Sequence, residues 1–351
     1  MRVSLKDVAQ RAGVSIKTVS NVVNNYQHVT PVMRARVQAA IDELGYRPNL
    51  TARNLRKGRT GIIALAVPEL GNPYFAEIAG AVIDAAAEHE LTVLLDHTRG
   101  EREQEILVSQ GFRARVIDGL ILSPLELESG DLAGRADDVP LVLLGEREYD
   151  LPYDHIAIDN VSAARLAVRH LLGRGRTRIA FLGARTDSPN RPALLRLQGW
   201  REELVAAGVG APDELIAPTG GWDRGHGAQA MARLLDSGIR PDAVFAYNDL
   251  VAIGAMRVLH ERGLRVPWDV AVVGFDDIAE SRFGAVSLTT VAPDKRAIAR
   301  LAVQSLVSSL ERASGRGEGD AAGERGSAPA DGRTFIASFE LLERESTLGR
   351  R

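Results

Sequence analysis

"VSIKTVSNVVNN", residues 14–25, carries helical periodicity: Val14, Val19, Val22 and Val23 fall on one apolar side. Ser15, Lys17, Thr18, Ser20, Asn21 and Asn24 cover the rest. A helix that needs only solubility uses Glu and Lys at such positions, because both are good helix formers. Here there is no acid at all. Short hydroxyl and amide side chains donate to phosphate oxygens or base edges, and a lysine reaches guanine, so this face suits a polyanion.

The flanking sequence places this helix in a motif. Ser4-Leu5-Lys6-Asp7 is a capping box, followed by Leu5, Val8, Ala9 and Ala12 at helical spacing, and Gly13 stops that helix. Ser15 caps the quoted helix, which runs to about Asn24. Thr30-Pro31 starts a third helix with the stripe Val37, Ala40, Ile41 and Leu44, ending at Gly45. Three short helices with a glycine turn between the first two form a helix-turn-helix, whose second helix enters the DNA major groove. Residues 1–60 hold eleven Lys+Arg against three Asp+Glu, whereas the remainder holds 32 against 43. A protein-binding three-helix module is the alternative. The basic excess and the missing acids favour double-stranded DNA.

The whole chain, 351 residues, has room for two or three domains with their own cores. It has no cysteine, which excludes disulfides and thiolate metal sites and suits a reducing cytoplasm. It shows neither a signal-peptide run nor an apolar stretch long enough to span a membrane. There is no H-E-x-x-H, G-x-S-x-G or Walker loop, and the seven histidines are scattered. No catalytic residue, metal site or cofactor is expected.

From Gly61 onward, apolar runs alternate with helical stretches: "GIIALAVP", "LTVLLD", "DGLILSP", "VPLVLLG", "HIAID", "RIAFLG", "DAVFAY" and "DVAVVGFDD". This predicts an α/β body of doubly wound parallel sheets, with strands enough for two. In such sheets ligands bind beyond the carboxyl ends of strands. Asn72, Tyr74, Phe75, Ser123, Asn248 and Asp276 follow strands, with Arg196 and Trp222 on intervening segments. Together they supply a carboxylate, a guanidinium, amides and aromatic faces, which suit vicinal hydroxyls and either a sugar ring or a purine. Asn248-Asp249 also fits a helix cap, with Asp249 the capping residue, and Phe75 fits the core equally well. Residues 313–333, within "RASGRGEGDAAGERGSAPADGR", predict a disordered loop, and "TFIASFELLERESTLG" then returns to the body.

"SLKDVAQRAGVSIKTVSNVVNN" (4–25) with "VTPVMRARVQAAIDELGYRPNLTARNLRKGRT" (29–60) closely resembles the lactose/galactose repressor (LacI/GalR) family of bacterial regulators. The resemblance implies that Ile16, Lys17 and Asn21 read bases, Asn21 standing where many relatives carry Arg. It implies that Asn49 to Leu55 form a hinge helix that folds on DNA beside its twin from a second subunit. Leu55 is then the minor-groove wedge, and Ala52 also matches. It further implies a periplasmic-binding-protein-like body with a ligand in the cleft between two subdomains. Arg196 of "RLQGW" lies in that pocket, while Trp200 packs. Gly145-Glu146 replaces the Asp-Arg of many relatives, which removes one polar contact. No leucine heptad follows, so no tetramerising tail is expected.

The organisation expected is a head over 1–47, a hinge over 48–60 and a body over 61–345. The body divides into 61–160 with 291–312 and 161–290 with 334–345. The function expected is that of a cytoplasmic, nucleoid-associated, homodimeric regulator with a small-molecule effector, a sugar, that changes operator affinity. A purine corepressor is the alternative ligand. A plain solute-binding protein is the rival class, and it has no use for a helix-turn-helix.

Overall fold

The computed structural model describes residues 3–23, 26, 28–46, 59–111, 116–135, 137–146, 149, 151–183, 191–315 and 332–349. The chain divides into a helical unit, Met1–Gly61, and a larger unit, Ile62–Arg351.

In the helical unit, α1 (Leu5–Ala12) opens on a capping box. The Asp7 amide donates to Ser4 Oγ, and the Ser4 amide donates to the Asp7 carboxylate. Gly13 ends it with φ 62°. α2 (Ile16–Val23) begins where the Thr18 amide donates to Ser15 Oγ at 3.1 Å. α3 (Pro31–Leu44) has Thr30 as its cap, Pro31 in the first turn and Gly45 at its end. Val8, Val19 and Val37 are fully buried where the three helices meet. Arg36 locks the turn. Its Nε donates to the Ala12 carbonyl at 2.5 Å and its Nη2 to the Gly13 carbonyl at 2.9 Å, filling acceptors that the end of α1 leaves open.

The larger unit has two halves. The first comprises β1 (Ile62–Val67), α4 (Pro73–Ala87), β2 (Thr92–His97), α5 (Arg102–Ser109), β3 (Gly119–Leu122), α6 (Ser129–Ala133), β4 (Leu141–Leu144) and β5 (Asp154–Ile158). The chain then crosses into α7 (Asn160–Gly173), β6 (Ile179–Leu182), α8 (Arg191–Ala206), β7 (Ile216–Ala217) and α9 (Arg224–Asp236). The second half continues with β8 (Ala243–Ala246), α10 (Asp249–Glu261), β9 (Ala271–Phe275), α11 (Glu280–Phe283) and β10 (Thr289–Pro293). α12 (Lys295–Gly315) returns to the first half, and β11 (Thr334–Ala337), β12 (Phe339–Leu342) and α13 (Glu345–Leu348) follow. The sheet orders are β11-β5-β4-β3-β1-β2 and β12-β10-β9-β8-β6-β7. Every pairing is parallel except β10 with β12. The central strands β1, β3, β4, β6, β8 and β9 are buried almost throughout, the pattern of sheets covered by helices on both faces.

The expected boundaries shift in three places. The return after residue 333 does not join the second half as a block. β11 pairs with β5 of the first sheet, and only after Ser338 does β12 join the second. Arg333 decides this by donating from its amide and guanidinium to Asp154, and Ser338 decides it by accepting from the Asp294 amide at 2.9 Å. Residues 291–293 belong to β10 and hence to the second sheet. Helix α12 runs to Gly315, past the expected start of the loop at 313, because Ala313 continues a helix at little cost; residues 316–331 lie outside the described residues. β7 and β10 add strands that the apolar runs did not announce.

Candidate DNA-facing helix and ligand cavity

α2 carries the residues expected to face DNA. Ser15 just before the helix and Ile16 and Lys17 at its start are exposed, and Thr18, Ser20 and Asn21 are partly exposed. Ile16 is 49% exposed, an apolar side chain held in solvent at a helix start. Ser15 Oγ and Thr18 Oγ1 share a hydrogen bond of 2.8 Å, which orients both hydroxyls. No acid lies in this helix, so the positive end of its dipole is uncompensated. Asn49, Ala52 and Leu55 lie outside the described residues.

In the larger unit a cavity opens between the halves at the carboxyl ends of their strands, with about 1070 Å³ of empty space including its open mouth. All eight residues singled out from the sequence, Asn72, Tyr74, Phe75, Ser123, Arg196, Trp222, Asn248 and Asp276, line it. Asn72 caps α4, its Oδ1 accepting from the Tyr74 amide at 3.1 Å. Tyr74 and Phe75 follow in the first turn of α4, edge to face with ring centroids 5.3 Å apart. Phe75 therefore belongs to the cavity wall as well as to the core. Ser123 follows β3, tied to β1 through its amide and the Ala66 carbonyl.

Across the cavity, Arg196 projects from α8. Its Nε donates to Asn160 Oδ1 at 2.7 Å and its Nη1 to the Tyr247 carbonyl at 2.5 Å, while the guanidinium lies 3.4 Å from the Phe275 ring centroid. α8 sits close to α7 because residue 199 is glycine; a Cβ there would stand 2.4 Å from the Val161 carbonyl oxygen. Trp200 is fully buried and donates to the Ile179 carbonyl, a packing residue.

The Asn248-Asp249 pair divides its tasks differently from the expectation. Asn248 is the cap, accepting from the Val251 amide at 2.9 Å and donating to the Trp222 carbonyl at 3.0 Å. Asp249 is the first helical residue and is fully buried. Its carboxylate accepts from Thr290 Oγ1, Ser281 Oγ and the Ile278 amide, and burial pushes its pKa up to about 7. It thereby holds the loop after β9.

That loop carries Asp276, whose backbone has φ 112°, and Asp277, with φ 47°. Such values are strained for residues with a Cβ and persist only where neighbours impose them. The Asp276 amide donates to the Val291 carbonyl at 2.8 Å. Its carboxyl faces the cavity with no hydrogen-bond donor among the described residues. Burial pushes its pKa up to about 8, against the pull of Arg196.

Two cavity residues depart from the sequence reading. Glu146 lines the cavity, so Gly145-Glu146 does not delete a polar contact but puts a carboxyl there. Burial raises its pKa, opposed by Arg196 and the Asn160 amide. Tyr247 supplies both its carbonyl to Arg196 and its side chain to the wall. Its place just after β8 was the available signal. Among the described residues no His, Asp or Glu cluster could hold a metal ion, and no helix is long and apolar enough to cross a membrane.

A helix-turn-helix together with a two-sheet, cavity-bearing unit defines a ligand-binding transcription regulator. Residues 4–49 match the bacterial regulatory proteins of the lacI family, and residues 168–347 match a periplasmic binding protein-like domain. The chain is 34% identical to the ribose operon repressor of Escherichia coli (strain K12), over 87% of its own length and 92% of that protein. It is similar in structure to the Lac repressor dimer bound to operator and the anti-inducer ONPF, with TM-score 0.78 and 30% identity over 99% of both chains. It is also similar to the regulator CelR in complex with cellobiose, with TM-score 0.68 and 32% identity over 98% of this chain and all of that one. The chain belongs to the LacI family. It is a DNA-binding transcriptional regulator and not an enzyme.

Proposed function

We propose that this regulator binds an inverted-repeat operator as a homodimer and releases it when a hydroxyl-rich sugar fills the cavity. The observation that carries this reading is the cavity itself. It gathers side chains from both halves, so a ligand there contacts both and shifts how they sit. An effector acts by binding one arrangement more tightly than the other, typically by ~1–3 kcal/mol of coupling. The carboxyl groups of Asp276 and Glu146 hydrogen-bond the hydroxyls, and Tyr74, Phe75 and Trp222 are the apolar faces for a ring. The ribose operon repressor and the cellobiose complex among the relatives support a sugar. Ile83 on α4 and Leu95 on the edge strand β2 are 44% and 41% exposed, apolar surface that suits a second copy of the chain.

The test is a thermal-shift screen of the full chain with monosaccharides, disaccharides and purine bases, followed by operator release with each hit. A sugar should raise the melting temperature and lower operator affinity. Asp276→Ala should weaken that sugar several-fold, the scale of one hydrogen bond to a neutral carboxyl at roughly 0.5–1.5 kcal/mol, and leave operator binding intact. Stabilisation by purines with tighter operator binding replaces the sugar by a corepressor.

A further inference from the structure

One lysine ties the loop that carries Asp276 to the first half. Lys295 is the first residue of α12, at the point where the chain leaves the second sheet for the first half. Its side chain is only 14% exposed. Its ammonium has three donors, and three acceptors surround it: Glu77 Oε2, the Asp276 carbonyl at 2.7 Å and the Asp277 carbonyl at 2.9 Å. Glu77 lies on α4, the helix whose first turn supplies Tyr74 and Phe75. The other oxygen of Glu77 accepts from the Ala279 amide, 3.1 Å away, in the loop that carries Asp276.

We propose that Lys295, oriented by Glu77, is the positioning residue that aims Asp276 into the cavity and clasps the two halves across it. Two consecutive carbonyls converge on one ammonium only if the residues bearing them turn sharply, and Asp276 and Asp277 do so with positive φ at both. The carbonyl contacts thus offset the strain that turns the Asp276 carboxyl inward. The bonds to Glu77 attach the same loop to α4. Other ties of the loop, through Asp249, Thr290 and Arg344, stay within the second half or the chain's last segment. The geometry that seats a ligand and the geometry that closes the halves therefore share one charged cluster, whatever the ligand is.

The chain has no cysteine, so two introduced thiols are labelled uniquely. Gln104→Cys on α5 and Gln229→Cys on α9 are exposed positions, one in each half. Spin labels there, in full-length chain diluted with unlabelled chain, report the distance between the halves by pulsed electron resonance. The parent should give a dominant short distance. Lys295→Met should lower the ratio of short to long distances by about tenfold, the scale of losing a charge-assisted hydrogen bond. Lys295→Arg should restore it, and circular dichroism should stay unchanged. Glu77→Gln should shift the ratio in the same direction, and the double variant should go no further than Lys295→Met alone. Should Lys295→Met fail to fold, Glu77→Gln decides the matter. Unchanged distances in Glu77→Gln, or fully additive effects of the two substitutions, overturn the clasp.

Discussion

Asp276 concentrates what single residues do in this protein. Its carboxyl is buried without a donor among the described residues, so the folded state keeps a proton that the unfolded chain releases near pH 3.8. With the folded value near 8, the folded state binds more protons across that interval, and stability falls as pH rises from about 4 to 8. Asp249, with its value near 7, adds to the same slope. Asp276→Asn should therefore flatten the decline of melting temperature between pH 5 and 8, and a slope equal to the parent's contradicts it. Asn21 is the residue to examine on the DNA side. Asn pairs with adenine through N6 and N7, whereas Arg favours guanine O6 and N7, a discrimination of roughly 1–3 kcal/mol. Asn21→Arg should move the preference at one symmetric pair of operator positions toward G·C in a selection from randomised DNA. Identical consensus sequences for parent and mutant would remove Asn21 from base reading.

At the scale of elements, buried charges pin the loops that shape the cavity. Glu105 on α5 is fully buried, and its carboxylate accepts from the amides of Leu125, Glu126 and Leu127 at 2.8, 2.9 and 3.0 Å. That loop begins with Ser123 and Pro124, and Leu125 itself lines the cavity. Burial raises the Glu105 pKa, and the three amides oppose it. Glu105→Gln turns one acceptor oxygen into a donor facing an amide. It should cost about 1–3 kcal/mol in a denaturant titration and weaken whichever effector binds. Loss of stability without loss of effector affinity separates the pin from the site. Helix ends, by contrast, were open to sequence reading. Ser4, Gly13, Thr30 and Gly45 do what their residue types dictate, since a cap depends only on chain neighbours. The Arg36 lock on the turn was not, because it joins α3 to α1 across 24 residues.

For the whole molecule, the asymmetry of charge governs encounter with DNA. The first sixty residues carry eight more basic than acidic side chains, and the remainder eleven more acidic than basic. The head should track DNA while the body is repelled by it, leaving affinity dominated by phosphate contacts. Log affinity for operator should fall linearly with log salt, at roughly −0.9 per phosphate neutralised, and a dimer should give a slope near twice that of an isolated half-site contact. Fluorescence anisotropy with labelled operator at several salt concentrations reads this directly. A flat dependence would mean that the basic head does not bind through phosphates.

What the chain alone determined were properties local in sequence or periodic along it. These are the capped helices, the acid-free face of α2, the alternation of buried strands with helices, and the residues that follow strand ends. Each rests on a residue's own backbone preference, on period, or on the rule that ligands meet parallel sheets at their carboxyl edge, and so Asp276 and Tyr74 are legible in the sequence. What only the tertiary structure decided depended on partners far apart in the chain. Ser338 separates strands of two different sheets because Asp154 holds Arg333 ahead of β11 and the Asp294 amide holds the Ser338 carbonyl, and no local pattern encodes that division. Glu146, two residues past β4, lines the cavity opposite Arg196 and Asn160, which come from other elements. Lys295 meets Glu77 across 218 residues because α12 and α4 pack together, and only folding puts its ammonium on the carbonyls that turn Asp276 inward.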